Sequence, residues 1–131
     1  MARVHFFEWE DQPCLPRAIR DFITHHLQFT LSIPAAAPLR KTVTDILAPL
    51  LQRSGEMRVI DVCSGGGGPL IAVLPDLSAR LGTQVTARLT DLSPNLEAFR
   101  AIEVETAGLA TGELRSVSAF DVLWVFHWRR C

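Results

Sequence analysis

Two acids and a run of glycines hold the residues best suited to chemistry. Asp61 lies near the end of the short apolar stretch Met57–Val62, and Gly65–Gly68 follow after Cys63 and Ser64. Glycine lacks Cβ, so a backbone built from it turns tightly and comes close to a ligand. The apolar run Leu70–Leu74 comes next and reads as the start of a helix. Strand, glycine loop, helix is the arrangement that presents free backbone N–H groups to a nucleotide-like ligand. Asp61 at the end of such a strand can accept a hydrogen bond from an ammonium group or brace the loop. Asp91 ends the next strand-like stretch, where a carboxylate can accept from both hydroxyls of a ribose. Asp121 follows a third such stretch, within reach of an adenine amino group.

Each feature also has a plainer reading. Four glycines alone make a flexible loop. Asp91 before Ser93 and Pro94 serves as a turn former, and Asp121 as a solvated acid. The conjunction carries the argument: an acid before the loop, the loop between strand and helix, and a second acid after the next strand. The helix start adds a dipole that favours anions, although Pro69 removes one donor. Cys63 has no His nearby in sequence to activate it and reads as a small loop residue rather than a nucleophile. His25, His26 and His127 lack metal-ligand spacing, so no metal is expected. No catalytic base is identifiable.

The elements that position these residues follow from periodicity. Arg17–Phe29 carries Ile19, Phe22, Ile23 and Leu27 at helical spacing. Ile33–Pro38 is a connector rich in breakers. Leu39–Arg53 forms a second amphipathic helix with Val43, Ile46, Leu47 and Leu50 on one stripe, and Pro49 is expected to kink its last turn. After the loop, helix is predicted over Leu70–Leu81 despite Pro75, with Gly82 as its stop. Gln84–Leu89 reads as strand. Ser93 is the expected N-cap and Pro94 the first residue of a helix reaching Ala107. Leu114–Ala119 reads as a third strand, followed by the aromatic run Phe120–Trp128. Strands alternating with helices imply an α/β fold with a parallel sheet. The expected organisation is a helical leader over 1–38 and a ligand-binding domain over 39–131.

Composition narrows the classes. A length of 131 residues fits one domain, and 48% hydrophobic against 21% charged residues is enough for a packed core. A net charge of -1 gives no electrostatic reason to expect nucleic acid or an anionic membrane. No apolar run is long enough for a membrane span. The first residues lack the pattern of a signal peptide. Three cysteines without CxxC spacing suit a reduced, cytoplasmic protein.

Val59–Pro69, VIDVCSGGGGP, resembles motif I of class I S-adenosylmethionine-dependent methyltransferases, an acid-x-Gly-x-Gly-x-Gly pattern. Asp61 matches the acid, Gly65 the second glycine and Gly67 the third. Cys63 stands at the first glycine, as in some methyltransferase branches. Leu89–Asn95, LTDLSPN, is similar to motif II, and Phe120–Val122 to the motif after the third strand. The resemblance covers about Leu39 to Val122. It implies a Rossmann-like domain that binds S-adenosylmethionine through Asp61, Cys63, Gly65, Gly66, Gly67, Asp91, Leu92, Asp121 and Val122. It implies methyl transfer to an unknown acceptor. The segment Phe7–Phe29 also resembles the leader of methyltransferase-like proteins and implies helices beside the sheet that cover the cofactor.

Two rival nucleotide-binding patterns fit less well. A dinucleotide-binding oxidoreductase needs a small residue at the last position of its glycine fingerprint, where this chain has Leu70 or Ile71. A phosphate-loop NTPase needs a Gly-Lys-Ser/Thr that is absent after these glycines. The family's sheet has seven strands in the order 3-2-1-4-5-7-6, and this sequence supplies the first three. The expectation is therefore a truncated N-terminal portion, with a non-catalytic remnant or interaction module as the alternative. Such a portion leaves the first strand as an unpaired edge, open to self-association. Phe120–Trp128 folding back, or a second chain, would cover it.

Overall fold

The computed structural model describes residues 33–67 and 70–122, with Pro16, Ala18, Ile19, Phe22, His26, Phe29 and Thr30 as isolated positions. Most of the expected helix Arg17–Phe29, and the run beyond Val122, lie outside the described residues. A 3-10 turn over Pro34–Ala36 leads into helix α1, Ala37–Ser54. The helix begins inside the expected connector because Pro38 occupies its first turn, where a missing N–H breaks no bond. It ends at Gly55, whose left-handed φ of 71° lets its N–H return to the Leu51 carbonyl at 3.0 Å.

Strand β1 (Arg58–Val62) follows, then α2 (Leu70–Leu81), β2 (Thr86–Thr90), α3 (Leu96–Glu105) and β3 (Ala110–Gly112). The three strands form a parallel sheet in the order β1-β2-β3. Val59 pairs with Ala87 and Asp61 with Leu89, and Ala87 pairs with Ala110. Among the described residues β1 is therefore an edge strand. Both α1 and α2 run unbroken through Pro49 and Pro75. Each proline is exposed, so its ring displaces no core side chain.

Helices α1, α2 and α3 contribute to one core. Ala48 and Leu51 of α1, Leu74 and Leu77 of α2, and Phe99 and Ile102 of α3 join Ala87, Leu89 and Ala110 of the sheet. The α1 stripe agrees with the expected one in part. Val43 and Leu47 pack against the core and Thr44, Ala48 and Leu51 are buried, whereas Ile46 and Leu50 are exposed. Residues 44, 48 and 51 share one helical face, and Ile46 and Leu50 lie about 200° around the helix from Thr44 and Ala48.

Two boundaries differ in a way that matters for the site. Asn95, not Ser93, caps α3: its Oδ1 accepts the Ala98 N–H at 3.1 Å. The third strand is Ala110–Gly112, not Leu114–Ala119. Its ladder is fixed by the Ala87 N–H donating to the Leu109 carbonyl and the Glu113 N–H donating to Leu89, both at 2.8 Å. Gly112 is required there, because a Cβ would overlap the Phe99 ring. Leu114 is then left exposed, and Val117 is buried beside the end of β2.

The opposite face of the sheet carries Arg58, Ile60 and Val62 of β1 with Thr86 and Arg88 of β2. Ile60 and Val62 remain exposed. Arg88 donates to the Thr111 hydroxyl at 3.0 Å and to the buried Glu113 carboxylate at 2.9 Å. Burial alone would raise the Glu113 carboxyl, but hydrogen bonds and charge from Arg88 and Arg115 outweigh it and hold it below its ordinary value. The cluster ties β2 to the segment after β3 at neutral pH, and its contribution fades as acid protonates Glu113.

The contact of Phe99 with Gly112 is open to test. Gly112→Ala should cost about 1–3 kcal/mol in urea unfolding, as expected for overpacking. The penalty should shrink in a Phe99→Leu background. An unchanged midpoint would show that β3 does not lie beneath Phe99.

Candidate functional site

The C-terminal ends of β1 and β2 bring the two acids and the glycine loop together. Immediately after β1, Cys63 adopts a left-handed φ of 57°. This conformation is strained for a residue with a Cβ and natural for glycine. Gly65 and Gly67 also have positive φ, 54° and 115°. The chain thereby folds back so that the Gly67 N–H donates to the Ser64 carbonyl at 2.8 Å. Cys63 itself is exposed.

Asp91 anchors this loop from across the strand gap. Its Oδ2 accepts the Gly65 N–H at 2.7 Å, and its Oδ1 accepts the Ser93 N–H at 2.7 Å. The carboxylate is thus held in one orientation by two backbone donors. A carboxylate has about four acceptor sites, so each oxygen keeps capacity for one more donor. The Asp91 carbonyl accepts from the Val117 N–H at 2.8 Å, and the Leu92 carbonyl accepts from the Ser116 hydroxyl at 2.6 Å. These two bonds bring the segment 116–122 alongside the acids.

Asp61 occupies a different environment. Its Oδ2 is buried with no hydrogen-bond partner among the described residues. Burial pushes its carboxyl above the ordinary value, Ser64 pulls it back in part, and the charge of Asp91 adds to the rise. A buried oxygen without a donor is a costly arrangement unless a ligand supplies one. A cationic donor would relieve both burial and like-charge repulsion at once.

No family model, curated protein or solved structure matches this chain.

The structure groups Asp61, Cys63, Gly65, Gly66 and Gly67 with Asp91 at one end of the sheet. Leu92 is adjacent and exposed, 64% of its surface being open. Asp121 and Val122 do not directly follow a strand, since β3 ends at Gly112. Asp121 is exposed on the flanking segment, its N–H donating to the Ser118 carbonyl at 2.9 Å, and Val122 is buried. A depression of about 510 Å³ lies elsewhere, on the sheet face opposite the helices among Glu56, Arg58, Ile60, Arg88, Thr111 and Glu113. Its Arg88 guanidinium is already committed to Thr111 and Glu113. Among the described residues, no three His, Cys, Asp or Glu side chains gather to hold a metal, and no helix is long and apolar enough to cross a membrane.

Two residues of this end of the sheet escaped the sequence reading. Ser64 and Thr90 are almost fully buried, 4% and 1% exposed, and hydrogen-bond each other and the Asp61 backbone. Small hydroxyl residues carry no hydropathy signal, and the only hint was their position beside the glycines and beside Asp91.

The burial of Asp61 sets a pH dependence. A raised folded-state carboxyl keeps its proton where the unfolded chain has already lost it. Stability from the neutral form is full below the ordinary carboxylate range and is lost as pH rises through the raised value. Asp61→Asn should accordingly raise the thermal midpoint at neutral pH, and the gain should vanish in acid. A midpoint that falls equally at both pH values would contradict the assignment.

Proposed function

We propose that this chain binds S-adenosylmethionine as the Rossmann-like, cofactor-binding part of a class I methyltransferase, serving methyl transfer to an acceptor not yet identified. The observation that carries the reading is the bond from the Gly65 N–H to Asp91 Oδ2, with the partnerless Asp61 Oδ2 at the end of the neighbouring strand. An ammonium-bearing amino acid joined to a nucleoside has donors for both acids. Asp61 would accept from the ammonium group and balance its charge. Asp91, already oriented by two backbone donors, would accept from the ribose hydroxyls with its remaining lone pairs. Asp121 stands on the segment that would meet the adenine. Positive φ at Cys63, Gly65 and Gly67 turns the backbone so that no large side chain intervenes at Gly65 and Gly67.

The bound cofactor supplies an electrophilic methyl group on a sulfonium. The protein's part is positioning: it fixes the two ends of the cofactor and leaves the methyl group to meet the acceptor in line. A base is needed only where the acceptor must lose a proton.

The buried, bulky Leu70 at the start of α2 argues against a dinucleotide fingerprint, which needs a small residue for close helix–strand packing. A second reading, a non-catalytic interaction module, is favoured by Ile60 and Val62 exposed on the sheet face opposite the helices.

Calorimetric titration separates these readings. S-adenosylmethionine should bind the purified chain, NAD should not, and Asp91→Ala should weaken binding by roughly 10- to 100-fold, the value of one or two charge-assisted hydrogen bonds. A folded chain that ignores S-adenosylmethionine, or takes NAD equally well, would overturn the proposal. The first result would leave the interaction module as the better reading.

A further inference from the structure

Asp61 and Asp91 end adjacent strands, and neither strand ladder alone fixes their relative position. Beyond Val62 and Thr90 the regular pairing stops. Four hydrogen bonds continue it, and three of them use side-chain hydroxyls. The Ser64 N–H donates to the Thr90 carbonyl at 2.9 Å. The Ser64 hydroxyl donates to the Asp61 carbonyl at 2.9 Å and accepts from the Thr90 N–H at 3.2 Å. The Thr90 hydroxyl donates to the same Asp61 carbonyl at 3.0 Å.

The Asp61 carbonyl thus takes two hydroxyl donors, one from the loop and one from β2. Both hydroxyls are desolvated, a state that is costly unless each is hydrogen-bonded, and each is. The arrangement fixes three things at once: the end of β1, the start of the glycine loop and the residue before Asp91. An apolar pair of the same size would fill the space and leave the relative position of the two acids to the loop.

We propose that Ser64 and Thr90 are positioning residues of the nucleoside site, a hydroxyl clamp that sets the spacing of Asp61 and Asp91. The inference rests on the reading of the two acids as the ligand's anchors. It assigns the clamp a role in matching a ligand that spans both. Adenosine reaches only the ribose acid and is insensitive to the spacing. S-adenosylmethionine requires both acids in register.

The test compares Thr90→Val, Ser64→Ala and Thr90→Ser with the unaltered chain. Three readouts are needed: the thermal midpoint, the Gly65 amide exchange rate without ligand, and the affinity ratio of S-adenosylmethionine to adenosine. Thr90→Val keeps the volume and removes the hydroxyl. It should lower that ratio about tenfold, the value of one buried hydrogen bond, and should speed Gly65 exchange. Ser64→Ala should do the same, and it carries the test if Thr90→Val does not fold. Thr90→Ser should restore both. An unchanged ratio in Thr90→Val and Ser64→Ala, even with a lower midpoint, would overturn the proposal by making the clamp purely structural. Should the unaltered chain bind neither compound, the functional reading fails separately. The exchange rates then decide the clamp: faster exchange at Gly65 with an unchanged rate at Ala87 sustains it, and no change at Gly65 overturns it.

Discussion

A single charge-assisted hydrogen bond joins the parts on which the site depends. Asp91 Oδ2 accepts the Gly65 N–H at 2.7 Å, across 26 residues of chain. Parallel pairing of β1 with β2 brings the two strand ends together, and this bond, the Ser64 N–H to the Thr90 carbonyl and the Ser64–Thr90 hydroxyls tie the loop to them. The bond uses an oxygen that keeps a second acceptor site, so anchoring the loop and meeting a ligand do not exclude each other. The helices matter to the site indirectly. They cover the face that carries Val59, Ala87, Leu89 and Ala110, and so fix the sheet whose ends present the acids.

Asp61 shows the opposite economy. Its carboxyl is desolvated, lies near a second carboxylate and leaves one oxygen without a donor among the described residues. Such a group weakens the fold at neutral pH. It makes physical sense where a cationic donor arrives from outside, since the same burial that destabilises the free protein strengthens the attraction. Cys63 adds a smaller strain, holding φ at 57° where glycine would rest without penalty. Both costs fall at the stretch that the proposed ligand would occupy, as is common at functional sites.

The parts of the fold that sequence revealed are those with strong periodicity and clear punctuation. Helix α2 runs from Leu70 to Leu81 as expected, because a glycine loop precedes it, Gly82 stops it and Leu70, Val73, Leu74 and Leu77 mark one face. Strand β1 and both acids at the strand ends were equally legible. Strand β3 was not. Ala110–Gly112 carries one β-branched residue, and its place is set by Phe99 above Gly112 and by bonds to β2, which are tertiary facts. Leu114–Ala119 has the better strand composition but meets no partner strand among the described residues. The face of α1 was legible in part: Val43 and Leu47 of the expected stripe pack against the core, but the buried face is centred on Thr44, Ala48 and Leu51, which turns Ile46 and Leu50 outward. Ser64 and Thr90 were invisible because a hydroxyl's value lies in its partners, which a sequence does not display.

The central claim is that the glycine loop and the end of β2 form one binding site for S-adenosylmethionine. Amide-resolved NMR during titration with that compound tests it most directly. The account predicts shifts concentrated at Gly65, Gly66, Gly67 and Ser93, with Arg88 and Thr111 on the sheet face opposite the helices unmoved. Shifts confined to that other face, or no shift in a well-dispersed spectrum, would contradict it.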